Sequence, residues 1–423
     1  MTTELDTSHG KAGSLGPVTH AERALAPDLA RGAMLLFIAL ANAVGVVFGG
    51  ELAAEPNPRG LERGVNLLIF TFVHARAYPV FAVMFGYGLV QLARRQEFAG
   101  ATPNVVRSIL LRRNAWLVVF GLLHAVLLYF GDFLGAYGLV GMFATLVLLR
   151  RGDRVHRAVL WLWAFSVLEF LVLGAVVAAR LVRGASDFAR PHIAEIGSLV
   201  APDYIASMLK RIVEWPVHTL TVLPFVMIVW LGMWAARRQL LEQPAMHRRL
   251  LRWVAGVSLG IVVIGGLPSG LLSAGILHAD SSTGTMMSLL LGVSGMFGGP
   301  GYAALFGLIS LHLSQARLSS VGKTSLRSLT ALGQRSLSGY LFQSVAWLFL
   351  LAPYTLALGR RFGSPMLTAV AIALLVWFAS LFGAYLLDRL SNRGPAEMLL
   401  RRLTYGERLL RPGQSQLPVR IAR

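Results

Sequence analysis

The stretch RRNAWLVVFGLLHAVLLYFGDFLGAYGLVGMFATLVLLRR, residues 112–151, carries the reading that decides the fold. Arg112-Arg113 and Arg150-Arg151 bracket two apolar runs, 114–130 and 133–149, joined only by Gly131-Asp132. A helix needs roughly 20 residues to cross about 30 Å of hydrocarbon, so each run is long enough, or nearly so, for one crossing. The two-residue joint sends the chain straight back, and both basic ends then lie on one side. Short loops rich in arginine resist translocation and stay cytoplasmic. The segment reads as a membrane hairpin whose Gly-Asp tip faces outward.

The same alternation governs the whole chain. Ten apolar stretches occupy 31–49, 65–93, 114–130, 133–149, 158–179, 217–236, 253–276, 286–313, 336–356 and 365–387. The even-numbered gaps are basic: Arg94, Arg95, Arg107, Arg112 and Arg113; Arg150, Arg151, Arg154 and Arg157; Arg237, Arg238, Arg248, Arg249 and Arg252; Arg317, Lys323, Arg327 and Arg335. The C-terminal tail adds eight more. The odd-numbered gaps hold Arg59 and Arg63, then none, five in 180–216, none, and Arg360 with Arg361. The expected class is an all-α polytopic membrane protein of about ten transmembrane helices with both termini cytoplasmic. One membrane domain covers 25–405, and the polar stretches 1–24 and 406–423 read as mobile cytoplasmic tails. The one sizeable segment between spans, 180–216, is expected outside, with Pro202 and Asp203 marking a helix start and one or two short surface helices. Pro79 predicts a kink or break at 75–79, and Gly298-Gly299-Pro300-Gly301 a soft point in the eighth stretch.

Composition excludes several alternatives. Mean hydropathy is +0.63, and with 55% apolar and only 14% charged residues the chain has too little polar surface for a water-soluble domain of 423 residues. The net charge of +19 lies at the cytoplasmic span ends, where it orients helices and meets anionic lipid, so no nucleic-acid partner is inferred. The absence of cysteine removes disulfides, thiolate nucleophiles and Cys-based metal sites. Residues 1–24 are polar and the first apolar stretch starts too late for a cleavable signal, so that stretch reads as an anchor. No period of 20–50 residues repeats.

Chemistry in a bilayer is expected where polar groups sit against their solvation preference, since a charge near the bilayer centre costs at least about 2.5–3.5 kcal/mol. Such groups are Asn42, Asn66, His74, Arg76, His124, Asp132, Glu169 and Gln343. Asn42 lies about 16 Å past Arg31 along a helix at about 1.5 Å per residue, and His124 a similar distance past Arg113. With Asp132 at the outer mouth and Arg76 at comparable depth, a shared polar pocket between mid-membrane and the outer face is expected. Each residue has two readings. Asn42 makes an interhelical hydrogen bond or lines a site. His124, with Gly121 on its own face, bonds a neighbouring backbone or serves chemistry. Asp132 caps the fourth span, a role compatible with a site. Arg76 stays protonated anywhere; it pairs with Asp132 or Glu169, or it binds an anion. Glu169 is paired or neutral. Tyr340, Gln343 and Ser344 pack and hydrogen-bond, or line the pocket. His74, His124, His218 and His278 fall on four elements without ligand spacing, so no metal is expected.

Five segments resemble the YeiB-like bacterial membrane proteins, a family defined by a domain of unknown function. They are Asp28-Leu29-Ala30-Arg31-Gly32 with Asn42; Arg76 through Gly88, ending Phe85-Gly86-Tyr87-Gly88; Gly121-Leu122-Leu123-His124 with Gly131-Asp132-Phe133-Leu134 and Tyr137; Gly333 through Gln343-Ser344; and Gly394-Pro395-Ala396-Glu397 with Arg401-Arg402-Leu403-Thr404-Tyr405-Gly406. Two places depart from the pattern: Ser338-Gly339-Tyr340 replaces Thr-Asn-Tyr, and Ala-Tyr-Pro follows Arg76 where a Phe-Arg-Thr-like run is usual.

The family is distantly similar to membrane acyltransferases of the heparan-glucosaminide acetyltransferase type. That likeness implies an enzyme of the bacterial cytoplasmic (inner) membrane moving an acyl group from acyl-CoA to a hydroxyl or amine on a small molecule, lipid or glycan. It implies no permanently bound cofactor, with acyl-CoA as co-substrate. His124 would be the base, near neutral pH the usual choice, and Asp132 its orienter. Arg76, Asn42, His74 and Gln343 would contact substrate, and Arg31, Arg112 and Arg113 the CoA phosphates. His124 and Asp132 are separated by about 12 Å along an unbroken helix, so contact requires the third span to end early. The rival reading is a transporter or flippase for a polar or anionic solute or lipid, which suits a Pro-broken helix and buried charge; paired halves with matching interruptions are absent.

Overall fold

The structure is a computed structural model that describes residues 24–184 and 195–406. The tails at 1–24 and 406–423 lie, Ala24 and Gly406 apart, outside the described residues, as does Arg190-Pro191 of the expected outer segment. Fifteen α-helices follow one another: α1 Leu25–Phe48, α2 Leu61–Leu68, α3 Ala77–Phe98, α4 Pro103–Leu127, α5 Leu134–Phe143, α6 Asp153–Arg183, α7 Tyr204–Val222, α8 Val226–Arg237, α9 Arg248–Ser273, α10 Ser281–Met296, α11 Gly298–Gln315, α12 Ser320–Gln334, α13 Ser336–Leu350, α14 Pro365–Arg389 and α15 Pro395–Tyr405. Among the described residues the extended structure is limited to one isolated bridge, Gly50 with Glu195.

Among the described residues seven helical stretches are long and apolar enough to cross a membrane, and α10 with α11, bent by 40°, makes an eighth if the pair is one crossing. The two remaining apolar stretches form shorter helices, Leu134–Leu148 and Ser336–Leu350. Length and composition therefore support seven or eight full crossings, where the stretches alone predict ten. The helical run Leu134–Leu148 fills nearly all of its apolar stretch, and residues 128–133 before it form a turn that reaches back to α4.

The second stretch is broken as Pro79 predicts. α2 winds into a π turn at Ile69–Val73, Ala75 takes φ +59°, and α3 restarts at Ala77 with Pro79 in its first turn, where its missing N–H is harmless. The second soft point also appears, as the α10–α11 bend at Phe297. The outer segment differs from expectation. Asp203 caps α7 by accepting the Ala206 amide at 2.8 Å, and the helix runs on without a surface interlude into the apolar stretch that ends at Arg237. Residues 204–216 belong to one helical run with that stretch, because their apolar positions recur at helical spacing in phase with those after 217.

Packing depends on close backbone approach, as bilayer helices require when no hydrophobic force separates them from lipid. α3 and α8 form the most extensive contact. There a Cβ on Gly86 would collide with the Val229 carbonyl and one on Gly232 with that of Val83. Arginines of α1, α3, α4 and α15 and of the α12–α13 and α14–α15 junctions gather around one opening, while Glu51, Tyr129, Ser198 and Tyr354 gather at the opposite end.

Candidate functional site

α4 ends at Leu127, and the Leu128 and Tyr129 amides both donate to the His124 carbonyl, at 2.8 and 3.1 Å. That reversal carries the following loop back along α4. Asp132 then uses both oxygens: Oδ2 accepts the Gly135 amide at 2.7 Å, capping α5, and Oδ1 lies 3.0 Å from His124 Nδ1. The capping and orienting roles coexist in one carboxylate. Gly121 makes this possible, since a Cβ there would strike the Gly135 amide and the Asp132 carboxylate. On the other edge of the ring, His124 Nε2 lies 2.8 Å from Ser344 Oγ on α13. A carboxylate on Nδ1 selects the tautomer with its proton there, which leaves the Nε2 lone pair to accept the Ser344 hydroxyl. The three side chains are fully enclosed. Tyr340 packs against His124 with ring centres 4.7 Å apart and planes tilted by 39°, and its hydroxyl donates to the Gly131 carbonyl at 3.4 Å.

Next to this chain of bonds lies a cavity of about 930 Å³. Its floor is apolar and aromatic, formed by Ile38, Tyr78, Phe133, Leu134, Tyr137 and Tyr340. Tyr340 covers His124, and Phe133 and Leu134 flank Asp132, so the floor is also the roof of the buried site. The mouth carries Arg31, Arg94, Arg95, Arg113, Arg335, Arg393 and Arg401 against Asp28, Glu97, Glu242 and Glu397. Three of those carboxylates are engaged within the protein. Asp28 lies 3.2 Å from Arg31, Glu242 accepts from Tyr87 and Gln91, and Glu397 takes the Leu337 and Ser338 amides at 2.8 and 3.1 Å. The last contact caps α13, the helix that presents Tyr340 and Ser344. It explains the Gly394-Pro395-Ala396-Glu397 segment as a structural clamp. Arg113 packs over Phe85, 5.5 Å from the ring centre. Burial pushes the Tyr405 phenol up, against the opposing pull of Arg113 and Arg95. The cavity is thus basic at its mouth and greasy at its end.

The expected shared pocket of Asn42, Arg76, His124 and Asp132 does not form. His124 and Asp132 meet, and Asn42 sits one contact away, accepting from the Tyr78 hydroxyl at 3.1 Å, with Tyr78 stacked on Phe133 at 3.8 Å. Arg76 lies elsewhere. Its guanidinium donates to the Leu291 carbonyl at 2.8 Å and the Val262 carbonyl at 3.1 Å, pairing with neither Asp132 nor Glu169. The helix break at 74–76 turns it toward α9 and α10, where carbonyls stand in for a counter-ion. His74 bonds the Ala53 carbonyl at 3.1 Å and Gln343 the Leu35 carbonyl at 3.2 Å, both away from the cavity. Arg31 and Arg113 line the mouth; Arg112 points to the Thr404 carbonyl at 3.4 Å and does not. Glu169 is exposed on the outer face of α6. The residue pattern under-weights Ser344 and gives no sign of Tyr78, Arg335, Arg393 or Arg401 as cavity residues. Ser344 carried one signal, its place four residues after Tyr340 on one helical face.

A helical, multi-pass membrane protein with a basic cavity open at one end is the class this architecture defines. Residues 235–407 match the family model described as "Protein of unknown function (DUF418)". This C-terminal match agrees with the YeiB-like resemblance carried by the motifs. It is 25% identical over 359 residues to the uncharacterized protein YxaH of Bacillus subtilis (strain 168), covering 79% of this chain and 80% of that protein. An uncharacterized 39.9 kDa protein from the amylase 3' region of Bacillus acidopullulyticus is 29% identical over 128 residues, 30% of this chain and 35% of its own length.

Proposed function

We propose that this protein is an acyltransferase of the bacterial cytoplasmic membrane that takes an acyl group from acyl-CoA and passes it to a hydroxyl or amine acceptor, small molecule, lipid or glycan. The observation that carries the reading is the Ser344–His124–Asp132 chain of hydrogen bonds directly beneath the aromatic floor of an arginine-ringed cavity. The positive-inside rule assigns the arginine-rich mouth to the cytoplasm, where acyl-CoA is found. Arg31 and Arg113 suit the phosphates of CoA, because a guanidinium offers a planar fork of donors. The slender pantetheine arm suits the greasy inner end, which directs the thioester toward Tyr340 and His124.

His124 acts as general base. Asp132 fixes its tautomer and stabilises the imidazolium that forms as Nε2 accepts a proton. That proton comes from the attacking hydroxyl or amine, directly or through Ser344, and returns to the departing thiolate. The new ester or amide bond forms as the thioester C–S bond breaks. Such catalysis contributes about 10²–10⁴-fold. Purified protein in detergent should bind acetyl-CoA and release free thiol slowly. His124→Gln, which keeps a donor toward Asp132, should retain binding and lose turnover by about that factor. Absence of CoA binding would remove the reading.

One observation favours the transport alternative: the breaks at 74–76 and Phe297 lie side by side around Arg76. Anion uptake that disappears in Arg76→Gln, with no CoA binding, would select it.

A further inference from the structure

We propose that the arginine-poor end of the molecule carries a second site, an oxyanion pocket built on Arg211, and that this pocket anchors the acceptor through a phosphate or carboxylate. The pocket itself stands on geometry alone; its assignment to the acceptor rests on the acyl-transfer reading. Arg211 is 2% exposed. Its Nε and Nη2 donate to the Ser207 carbonyl and hydroxyl at 3.3 and 3.0 Å, and Nη2 also reaches the Tyr354 hydroxyl at 3.3 Å. Its Nη1 has no partner. Among the described residues no carboxylate lies within ion-pair distance of it.

Arg211 lines a small cavity of about 20 Å³ together with Ser198 and Trp347. Ser198 Oγ and Trp347 Nε1 are likewise buried without a partner. Three unmet donors, one of them on a fixed cation, therefore belong to residues that line one pocket. Buried donors in native proteins are almost always satisfied. A cavity of on the order of 10–15 Å³ admits one water, but water cannot neutralise a guanidinium. An oxyanion both neutralises it and accepts from the hydroxyl and the indole. Glu214, one turn along α7, acts on Arg211 through space without an ion pair; one oxygen accepts the Ser198 amide at 2.9 Å, the other is buried without a partner, and the residue does not line the pocket. A ligand larger than one oxygen enters by displacing Tyr354, whose 3.3 Å bond to Arg211 is long.

Position supplies the link to chemistry. Leu128, Tyr129 and Phe130 form one wall, and the first two are the residues whose amides close the turn on His124. Trp347 lies three residues beyond Ser344 on α13. The Tyr204 hydroxyl ties the start of α7 to the Leu127 carbonyl at 3.0 Å, and the Arg211 guanidinium rests over the Tyr204 ring. The pocket therefore lies within about one helical turn of the His124–Ser344 contact, on the side away from the arginine-ringed cavity. An acceptor held there presents its hydroxyl or amine to His124 while the acyl donor arrives from the other side.

The test uses the full chain in nanodiscs. Inorganic phosphate and acetate, with chloride at equal ionic strength as control, are titrated calorimetrically into the native protein, Arg211→Gln, Ser198→Ala and Arg113→Gln. The expected result is a saturable oxyanion site that weakens at least tenfold in Arg211→Gln, weakens less in Ser198→Ala and persists in Arg113→Gln. Nanodiscs of phosphatidylglycerol against phosphatidylcholine separate the sources: phosphate affinity reduced only by the anionic lipid identifies a headgroup, and equal affinity a soluble anion. Unchanged phosphate binding in a folded Arg211→Gln, or none in the native protein, overturns the pocket. If acetyl-CoA neither binds nor turns over while Arg211-dependent phosphate binding is present, the pocket stands and the acyl-transfer reading fails. Normal acetyl-CoA turnover without any Arg211-dependent anion site has the opposite meaning.

Discussion

His124 Nδ1 and Asp132 Oδ1 lie 3.0 Å apart although eight residues separate them in the chain. On a continuous helix they would be about 12 Å apart. The contact exists because α4 stops at Leu127 and the loop folds back over Gly121, so the same carboxylate that starts α5 also grips the imidazole.

Asp132→Asn should therefore keep the fold and lose the chemistry. The amide can still cap α5 but presents a different donor and acceptor to the ring, which no longer favours the reactive tautomer. Turnover of acyl-CoA should fall by about 10²–10⁴-fold with little change in thermal midpoint. Activity within a few-fold of the native protein would exclude an orienting role.

Gly121→Ala should be costly out of proportion to its one methyl group. Overpacking a close contact destabilises by about 1–3 kcal/mol, and here the strain falls on Asp132. Denaturation in detergent should report that loss together with reduced acyl-CoA turnover. A silent substitution would mean that the α4–α5 crossing is looser than described.

Arg76 separates structural from functional burial. Arg76→Met removes the donors that satisfy the Leu291 and Val262 carbonyls and should destabilise by about 1–3 kcal/mol. Acetyl-CoA affinity should be unchanged, because the guanidinium is remote from the cavity. Intact stability with lost binding would restore the anion-binding role that the sequence suggests.

The mouth arginines should divide by position. Arg113→Gln and Arg31→Gln should weaken acetyl-CoA binding about tenfold, the equivalent of about 1.4 kcal/mol, and flatten its salt dependence. Arg112→Gln, whose side chain leaves the cavity, should do neither. Equal effects at Arg112 and Arg113 would show that general surface charge matters and the cavity does not.

Much of this architecture is legible in the sequence because bilayer physics acts on long runs of residues. The basic gaps sort the helix ends, and Pro79 announces the break before α3. Span length is less legible: the α5 run is itself only marginally long, and the α13 run ends in turns after Leu350. The site is legible only in part. His124, Asp132, Arg31 and Arg113 stand out as polar groups in or beside apolar runs, but polarity says nothing about which helix face meets which. Arg76 and His74 satisfy themselves on backbone carbonyls freed by the helix break, a solution no residue pattern displays. Ser344 is small and common in such helices, so only its 2.8 Å contact with His124 reveals it.

On the proposed function, acyl-CoA enters the arginine-ringed cavity and places its thioester at His124. An experimental structure with a non-hydrolysable acyl-CoA analogue tests it most directly. Phosphates should lie among Arg31 and Arg113, and the analogue's carbonyl carbon within about 4 Å of Ser344 Oγ or of a water on His124 Nε2, close to attack distance. An empty cavity at saturating analogue, or an acyl end remote from His124, would contradict it.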